Sequence, residues 1–305
     1  MLEQFDLTMP LIPSDVIQSV RSIFAASNLE VSSRLSRNPF TYETALDMAL
    51  IDSLNVFSAP FYTQFSQSLV KVSTHFLGAG RHFEKWEIAD IGLILEVYVH
   101  GSLKLRKIAA LQSKRLFAVD DPDESEKVEE RFRWGFGGLL GSHNPLPAEP
   151  PRAFLFTNHS RYKALCVGDE QSRRIEDYEG EYGIPIHYLL YNPTEMPFRV
   201  VVPSDGYVAV TTNLIGSRVL RSATTRTLQE GIPNYESVRG LAAPNEHASW
   251  TGGWRLEDFI VDLCLGCHEG YVPAAAGDLG LNFLFNRRSG PIQSAVSVQI
   301  DVRGD

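Results

Sequence analysis

The strongest pattern along the chain is a pair of apolar-rich runs that flank a short polar segment. Residues 91–99 and 103–111 are rich in Val, Ile, Leu and Ala, and the tip His100–Ser102 separates them. Apolar-rich runs joined by a glycine-containing turn are typical of paired strands. The sequence therefore predicts a β-hairpin from Asp90 to Leu116, and the rest of the chain is organised around it.

Polar side chains lie at the open end of this predicted hairpin. Asp90 begins the first strand, and Gln112, Ser113 and Lys114 end the second. A three-residue loop places Asp90 opposite Gln112, and a shift of one residue places it opposite Lys114. Opposed residues share a face and side chains repeat with period two, so either register gathers Asp90, Gln112 and Lys114 on one face. Polar groups on apolar strands are costly unless they serve a purpose, which indicates a site.

Further periodic segments surround the hairpin. A helix is predicted from Thr41, with its apolar face at Tyr42, Leu46, Ala49, Leu50 and Leu54. The other predicted elements are a strand over Phe65–Leu77, a helix over Gln171–Tyr182 that Gly183 ends, and a strand over Ile184–Tyr191. The predicted order is therefore α-β-β-β-α-β.

An aspartate, a hairpin and then Gln112-x-Lys114 resemble the PD-(D/E)xK superfamily, the restriction-endonuclease-like phosphodiesterases. The sequence departs from that pattern at Ala89, where the proline is expected, and at Gln112, where an acid is usual. The resemblance covers residues 40–192 and includes the family's order of elements. It implies an α/β fold with a restriction-endonuclease-like mixed sheet core, flanked by helices, with insertions and a C-terminal extension.

The same resemblance implies a metal-dependent catalytic site. Mg²⁺ or Mn²⁺ would be held by four groups: the carboxylates of Asp90 and Glu43, the side-chain oxygen of Gln112 and the backbone carbonyl of Ser113. Hard cations take oxygen ligands of this kind. Lys114 would orient or deprotonate the attacking water and stabilise the transition-state charge. Glu43 also has a simpler explanation, because an acid in the first turn complements the helix dipole.

Other charged residues have competing explanations. In the three-residue-loop register Glu96 lies opposite Arg106, and a cross-strand ion pair accounts for both. Nucleic-acid binding is predicted for Arg115, Arg173 and Arg174. Arg173 and Arg174 lie on the second helix, where folds of this family often carry cleft residues, but ordinary helix surface explains them equally well.

The predicted domain organisation has three parts. Residues 1–40 form an N-terminal leader with a short helix and a polar loop over Ser32–Asn38. Residues 41–192 form the nuclease-like core, which an acidic and glycine-rich insertion at 118–152 interrupts. Residues 193–305 form a C-terminal extension that packs on the core or docks a partner, and its strand-like runs either extend the sheet or form a partner surface. Trp254–Leu265 within it has the pattern of an amphipathic helix.

The composition and the first residues of the chain indicate the cellular compartment in which the protein is expected. The chain has 305 residues and no apolar run long enough for a membrane span. Its beginning lacks the features of a secretory signal, and its three cysteines make no disulfide framework, so a cytoplasmic protein is expected. Cys264-x-x-Cys267-His268 matches the haem-attachment spacing, but a buried thiol at a helix end is the preferred interpretation.

The predicted function is that of a Mg²⁺-dependent deoxyribonuclease, and the resemblance implies an effector subunit of a bacterial defence or restriction system. The alternative, which Gln112 and the net charge favour, is an inactive nuclease-like subunit that binds a partner or nucleic acid. A net charge of −9 opposes binding to a polyanion unless basic residues cluster at the cleft or a partner supplies the contacts. A helicase, ATPase or sensor subunit is therefore the predicted protein partner.

Overall fold

The computed structural model describes residues 12–76, 88–119, 152–202, 212–241, 253–266, 269–273, 279, 285, 292 and 294–303. Its strands are β1 (Phe61–Tyr62), β2 (Leu69–Phe76), β3 (Ile91–Val99), β4 (Ser102–Arg115), β5 (Arg152–Phe156), β6 (Ile186–Tyr191), β7 (Phe198–Val202), β8 (Arg218–Arg221), β9 (Trp254–Arg255) and β10 (Ser294–Val302). Its helices are α1 (Ser14–Arg37), α2 (Glu43–Asn55), α3 (Glu170–Tyr182), α4 (Ser222–Thr225), α5 (Tyr235–Arg239) and α6 (Leu256–Asp258), and α6 continues as a π-helix over Phe259–Leu265.

Eight of these strands form one sheet, in the order β1-β2-β10-β3-β4-β6-β8-β9. The β10–β3 and β4–β6 pairs are parallel, and the other neighbouring pairs are antiparallel. β5 and β7 pair with each other in a separate two-stranded sheet. The fold is therefore a mixed α/β fold with a large, mostly antiparallel sheet flanked by helices, which confirms the predicted class.

The central hairpin has the predicted register in its body and a different tip. Glu96 lies opposite Arg106, as a three-residue loop would place it. The turn itself has two residues, His100 and Gly101, with φ of 51° and 75°. Positive φ at both positions is what a two-residue type I′ turn requires. A β-bulge after Val97 adds the residue that restores the register.

The pleat of β4 and β6 assigns their side chains to two faces of the sheet. The two strands pair without a break from Ala110 to Arg115, so successive residues alternate between faces. Ser113 and Tyr191 share the face on which α2 packs, with α1 against α2. Gln112 and Tyr188 share the opposite face. The pKa of Tyr188 is raised by burial and then by acidic residues of α3 and its N-cap.

Helix α3 has the ends that its sequence predicts. The Asp169 carboxylate accepts a hydrogen bond from the Ser172 amide at 2.7 Å, which caps the first turn. Gly183 ends the helix with φ of 67°, a left-handed conformation that glycine adopts without strain. Ile175 and Tyr178 form its buried side, as the periodicity predicts.

The N-terminal region is not a leader separate from the core. α1 continues to Arg37, so the loop predicted over Ser32–Asn38 is wrong. The serines in this stretch do not break the helix, because the Ser36 hydroxyl donates to the Ser32 carbonyl within it at 2.9 Å. Leu35 is fully buried, and its apolar contacts hold this last part of the helix against the core.

The residues after 192 contribute to the main sheet and are not an extension packed on it. β8, β9 and β10 come from this region, and β10 lies between β2 and β3. Val296, Val298 and Ile300 alternate along β10 and are buried in the same core as α1 and α2. The predicted boundary at residue 192 therefore does not separate a core from an extension.

The stretch from Trp254 to Leu265 is only partly the helix that its pattern predicts. Trp254 and Arg255 form β9 because they pair with β8, and most of the remainder is π-helical. Cys264 is a buried free thiol in this segment. Cys267 and His268 lie outside the described residues.

Two further predictions concern the rest of the chain. Most of the insertion predicted at 118–152 lies outside the described residues. Among the helices that are described, none has the length and apolar character needed to cross a membrane.

Candidate active site

The end of β4 extends past the start of β3, and two carboxylates occupy the edge that β3 leaves open. The Leu111 carbonyl accepts a hydrogen bond from the Asp90 amide at 2.8 Å, so this group points toward β3. Backbone groups two residues further along a strand point the same way. The Ser113 amide there donates to Asp90 Oδ2 at 2.7 Å, and the Arg115 amide donates to Glu43 Oε1 at 2.9 Å. Asp90 and Glu43 therefore contact the backbone on either side of Lys114, at the edge of β4 that faces away from β6.

Gln112 is joined to Asp90 by its side chain. Its Nε2 donates to Asp90 Oδ2 at 2.6 Å, which is the pairing given by the three-residue-loop register and not by the shifted one. The other side-chain atom, Oε1, is buried and has no hydrogen-bond partner in the described structure. A buried carbonyl oxygen without a donor is unfavourable, and such atoms are typical of positions where a water or an ion binds.

In the chain, Lys114 lies between Ser113 and Arg115, whose amides donate to Asp90 and Glu43. By alternation its side chain shares the face of Gln112, and the residue is only 4% exposed. In the described residues its ammonium makes no hydrogen bond or ion pair. The ammonium is therefore available to bind a ligand.

Asp47, which the sequence offers as a second candidate metal ligand after Glu43, bonds instead to side chains of β4 and β6. It lies one turn after Glu43 on α2, and its Oδ1 accepts hydrogen bonds from Ser113 Oγ at 2.5 Å and Tyr191 Oη at 2.6 Å. Burial raises the pKa of Asp47 to about 7. The hydrogen bonds from Ser113 and Tyr191 oppose that shift, the charge of Glu43 adds to it and the charge of Lys114 opposes it.

The sequence held one signal for Asp47 and none for Tyr191. Glu43 and Asp47 are four residues apart, which places both on one side of α2. Tyr191 ends a run of apolar residues and has the pattern of a core position. Burial, and then the neighbouring charge of Asp47, raise its pKa well above the usual value, so Tyr191 acts here as a hydrogen-bond donor.

The three arginines predicted to contact nucleic acid are in different environments. Arg115 is 2% exposed, with its guanidinium bonded to the Pro39 carbonyl and 3.6 Å from the centre of the Phe117 ring. Arg115 therefore lies inside the fold, and the prediction that it contacts nucleic acid is corrected. Arg173 is exposed on α3, and Arg174 pairs with Glu170 on the same helix.

The predicted metal ligands fit a hard cation in kind. Asp90 and Glu43 carry two negative charges, the buried Gln112 oxygen has no donor, and the Ser113 carbonyl points to the same edge as its amide. All four atoms are oxygens, as Mg²⁺ prefers. Within the described ranges no three His, Cys, Asp or Glu side chains form a metal-binding group by themselves. Binding of a cation by these residues would therefore require the two neutral oxygens, Gln112 Oε1 and the Ser113 carbonyl, in addition to the carboxylates.

No protein-family model, no curated protein and no solved structure matches the chain.

Proposed function

We propose that the protein is a metal-dependent phosphodiester hydrolase of the restriction-endonuclease-like kind, with DNA as the favoured substrate. The observation that carries the proposal is the open edge of β4, where Asp90 and Glu43 accept hydrogen bonds from the amides on either side of Lys114. Phosphodiester hydrolysis needs carboxylates to bind a cation and a lysine to stabilise charge on the phosphate. The two carboxylates at this edge and the neighbouring Lys114 support such a reaction.

The donor set supports Mg²⁺ or Mn²⁺ as the cofactor. Such an ion, when bound, polarises the scissile phosphate and lowers the pKa of a bound water. Asp90 and Glu43 would supply the negative charge, and Gln112 Oε1 and the Ser113 carbonyl would supply neutral oxygens. Lys114 would then orient or deprotonate the water and stabilise the charge that develops on the phosphate.

A second candidate function is that of an inactive nuclease-like subunit that binds a partner protein or nucleic acid. The observation that favours it is the burial of the site, since Asp90 and Gln112 are 7% and 2% exposed. The amide of Gln112 already satisfies one oxygen of Asp90, as a structural residue would. In this alternative the acids cap the backbone of β4 and do nothing further.

The net charge of −9 supports a protein that acts in a complex over one that acts alone. A negatively charged nuclease associates slowly with a polyanion, and a basic helicase, ATPase or sensor subunit would remove that barrier. A role as effector subunit in bacterial defence or restriction fits such a complex. Tight DNA binding and cutting by the isolated protein at physiological salt would contradict the need for a partner.

The test of the proposed function is a cleavage assay with the purified full chain. Circular and linear DNA are incubated with Mg²⁺, with Mn²⁺ or with EDTA, and cleavage is expected only with a metal. Lys114→Ala should lower the rate by about a hundredfold or more, as should Asp90→Asn, because each removes a group that stabilises transition-state charge or holds the cation. Lys104→Ala is the matched control, since Lys104 is exposed on the same strand.

The outcomes separate the two candidate functions. Cleavage that Lys114→Ala leaves unchanged would contradict the assignment of the site. No cleavage with either metal, together with specific binding of DNA or of a partner protein, would favour the inactive subunit.

A further inference from the structure

The last residues of β4 have a neighbouring strand on one edge only. β6 pairs with them from Ala110 to Arg115, whereas β3 has already ended on the other edge. There the side chains of Asp90 and Glu43 replace a strand. Segments with fewer backbone partners open at lower free energy than central strands. The position of this segment therefore depends on its contacts outside the plane of the sheet.

Asp47 supplies such a contact from α2. Its Oδ1 accepts hydrogen bonds from Ser113 Oγ at 2.5 Å and from Tyr191 Oη at 2.6 Å, so one carboxylate joins α2, β4 and β6. Ser113 and Tyr191 are buried completely or nearly so, and Asp47 is buried as well. Short hydrogen bonds to a carboxylate in a site that excludes water are among the strongest in proteins.

Ser113 passes this restraint on to the candidate active site. Its hydroxyl is held by Asp47 on one side of the sheet, while its amide is bonded to Asp90 at the strand edge. Gln112 and Lys114 are its two neighbours in the chain, so any displacement of Ser113 moves both. We infer that Asp47 is a positioning residue, which acts through Ser113 to hold the Gln112–Lys114 segment in its reacting geometry. The inference rests on the proposed function, because the Gln112–Lys114 segment has a reacting geometry only if the site is catalytic.

The kinetic test compares two substitutions at Asp47 with a control on the same helix. Asp47→Ala should lower kcat for DNA cleavage in Mn²⁺ at least about tenfold, since small displacements of reacting groups cost this much or more. KM for DNA should change less than about twofold, because no substrate contact is lost. Asp47→Asn keeps an acceptor oxygen and should recover most of the loss. Asp52→Ala, which removes an exposed acid from α2, should match the unchanged protein.

The second readout is independent of cleavage. Native-state hydrogen exchange is measured at the amides of Ser113 and Arg115, and Asp47→Ala should speed exchange there about tenfold, with Asp47→Asn close to the unchanged protein. Amides in the β3–β4 body should not change. If Asp47→Ala does not fold, Tyr191→Phe removes one of the two hydrogen bonds and should give a smaller change in the same direction.

The two readouts distinguish the possible failures. A protein that cuts no DNA with any metal contradicts the proposed function alone, and the exchange rates still decide whether Asp47 fixes the segment. Unchanged exchange at Ser113 and Arg115 in Asp47→Ala overturns the inference. Equal losses of kcat in Asp47→Ala and Asp47→Asn, with exchange unchanged in both, would also overturn it.

Discussion

Glu96 and Asp47 are two carboxylates of nearly equal burial, 7% and 8% exposed, and both lie against β4. Glu96 receives the Arg106 guanidinium at 2.7 and 2.8 Å on one oxygen, and Tyr98 and Gln299 donate to the other at 3.0 and 2.9 Å. Burial alone would raise its pKa. The hydrogen bonds from Gln299, Arg106 and Tyr98 together hold the pKa of Glu96 below its usual range.

Asp47 is in the opposite situation. Its hydrogen-bond donors in the described structure are the neutral hydroxyls of Ser113 and Tyr191, and the acid Glu43 lies one turn away. Burial therefore raises its pKa to about 7. Glu96 belongs to a cluster that satisfies its own charge and stabilises the hairpin. At Asp47 the hydrogen bonds from Ser113 and Tyr191 and the charge of Lys114 do not offset the effect of burial. Perturbed carboxylates of this kind are concentrated at functional sites.

The largest expected effect is on the pH dependence of stability at Asp47. The pKa rises from 3.8 in the unfolded chain to about 7 in the folded protein, so the folded state binds the extra proton between these values. Stability should then decrease as the pH rises through this window, by up to about 4 kcal/mol. Asparagine does not ionise in this range, so Asp47→Asn should lack that decrease in stability. Urea unfolding from pH 4 to pH 8 measures it.

The control for this prediction is Asp52→Asn, which changes an exposed acid on the same helix. It should follow the pH dependence of the unchanged protein. If Asp47→Asn also follows it, Asp47 is not the strained group, and the contrast with Glu96 disappears.

The next largest effect is expected when a second acid is placed beside Asp90 at the open edge of β4 and, for comparison, beside Glu96. Gln112→Glu replaces the hydrogen bond to Asp90 by like-charge repulsion in a buried place and should cost about 3 kcal/mol in metal-free buffer. If the site binds a cation, millimolar Mn²⁺ should restore most of this stability. The matched variant Gln299→Glu does the same beside Glu96, where Arg106 compensates, so its cost should be smaller.

Thermal unfolding with EDTA and with Mn²⁺ measures both variants. Gln299→Glu should respond to Mn²⁺ no more than the unchanged protein does. Equal rescue of the two variants by Mn²⁺ would show that the metal acts on overall charge and not at the open edge of β4.

The smallest effect is expected at the hairpin ion pair. Arg106 is 47% exposed, so Arg106→Ala should cost less than about 1 kcal/mol, and high salt should reduce that cost. The contribution of Glu96 should be present above its unfolded pKa and be lost as the pH falls through its lowered folded pKa. DNA cleavage should not change. A loss of activity in Arg106→Ala would show that the tip of the hairpin has a part in function.

Local signals in the sequence were sufficient for the hairpin and for α3. A glycine-containing turn between apolar runs predicts paired strands wherever they lie in the fold, and the pairing of Glu96 with Arg106 follows from the register. Gly183 ends α3 because it adopts a left-handed conformation that other residues avoid. Each of these features is decided by residues close together in the chain.

Features that depend on distant residues were not predictable. β10 pairs with Ile91 and its neighbours although Ser294 is far away in the chain. The burial of Arg115 depends on Pro39 and Phe117, and a charge in a sequence does not indicate what covers it. In the candidate site, the contact of Gln112 with Asp90 is the one given by the first of the two hairpin registers that the sequence allowed. The hydrogen bond from Tyr191 to Asp47 joins a strand to a helix with no shared pattern.

The central place of β10 also determines when the protein can mature during its synthesis. β2 and β3 are not neighbours in the finished sheet, and the Ser294 amide bonds to the Asp90 carbonyl at 3.2 Å. The hairpin can form early on the ribosome, but its Asp90 end waits for Ser294–Val302 to be translated, roughly 10–40 s later at ordinary elongation rates. The Asp90 end of the hairpin therefore gains its support from β10 only after Ser294–Val302 has been synthesised.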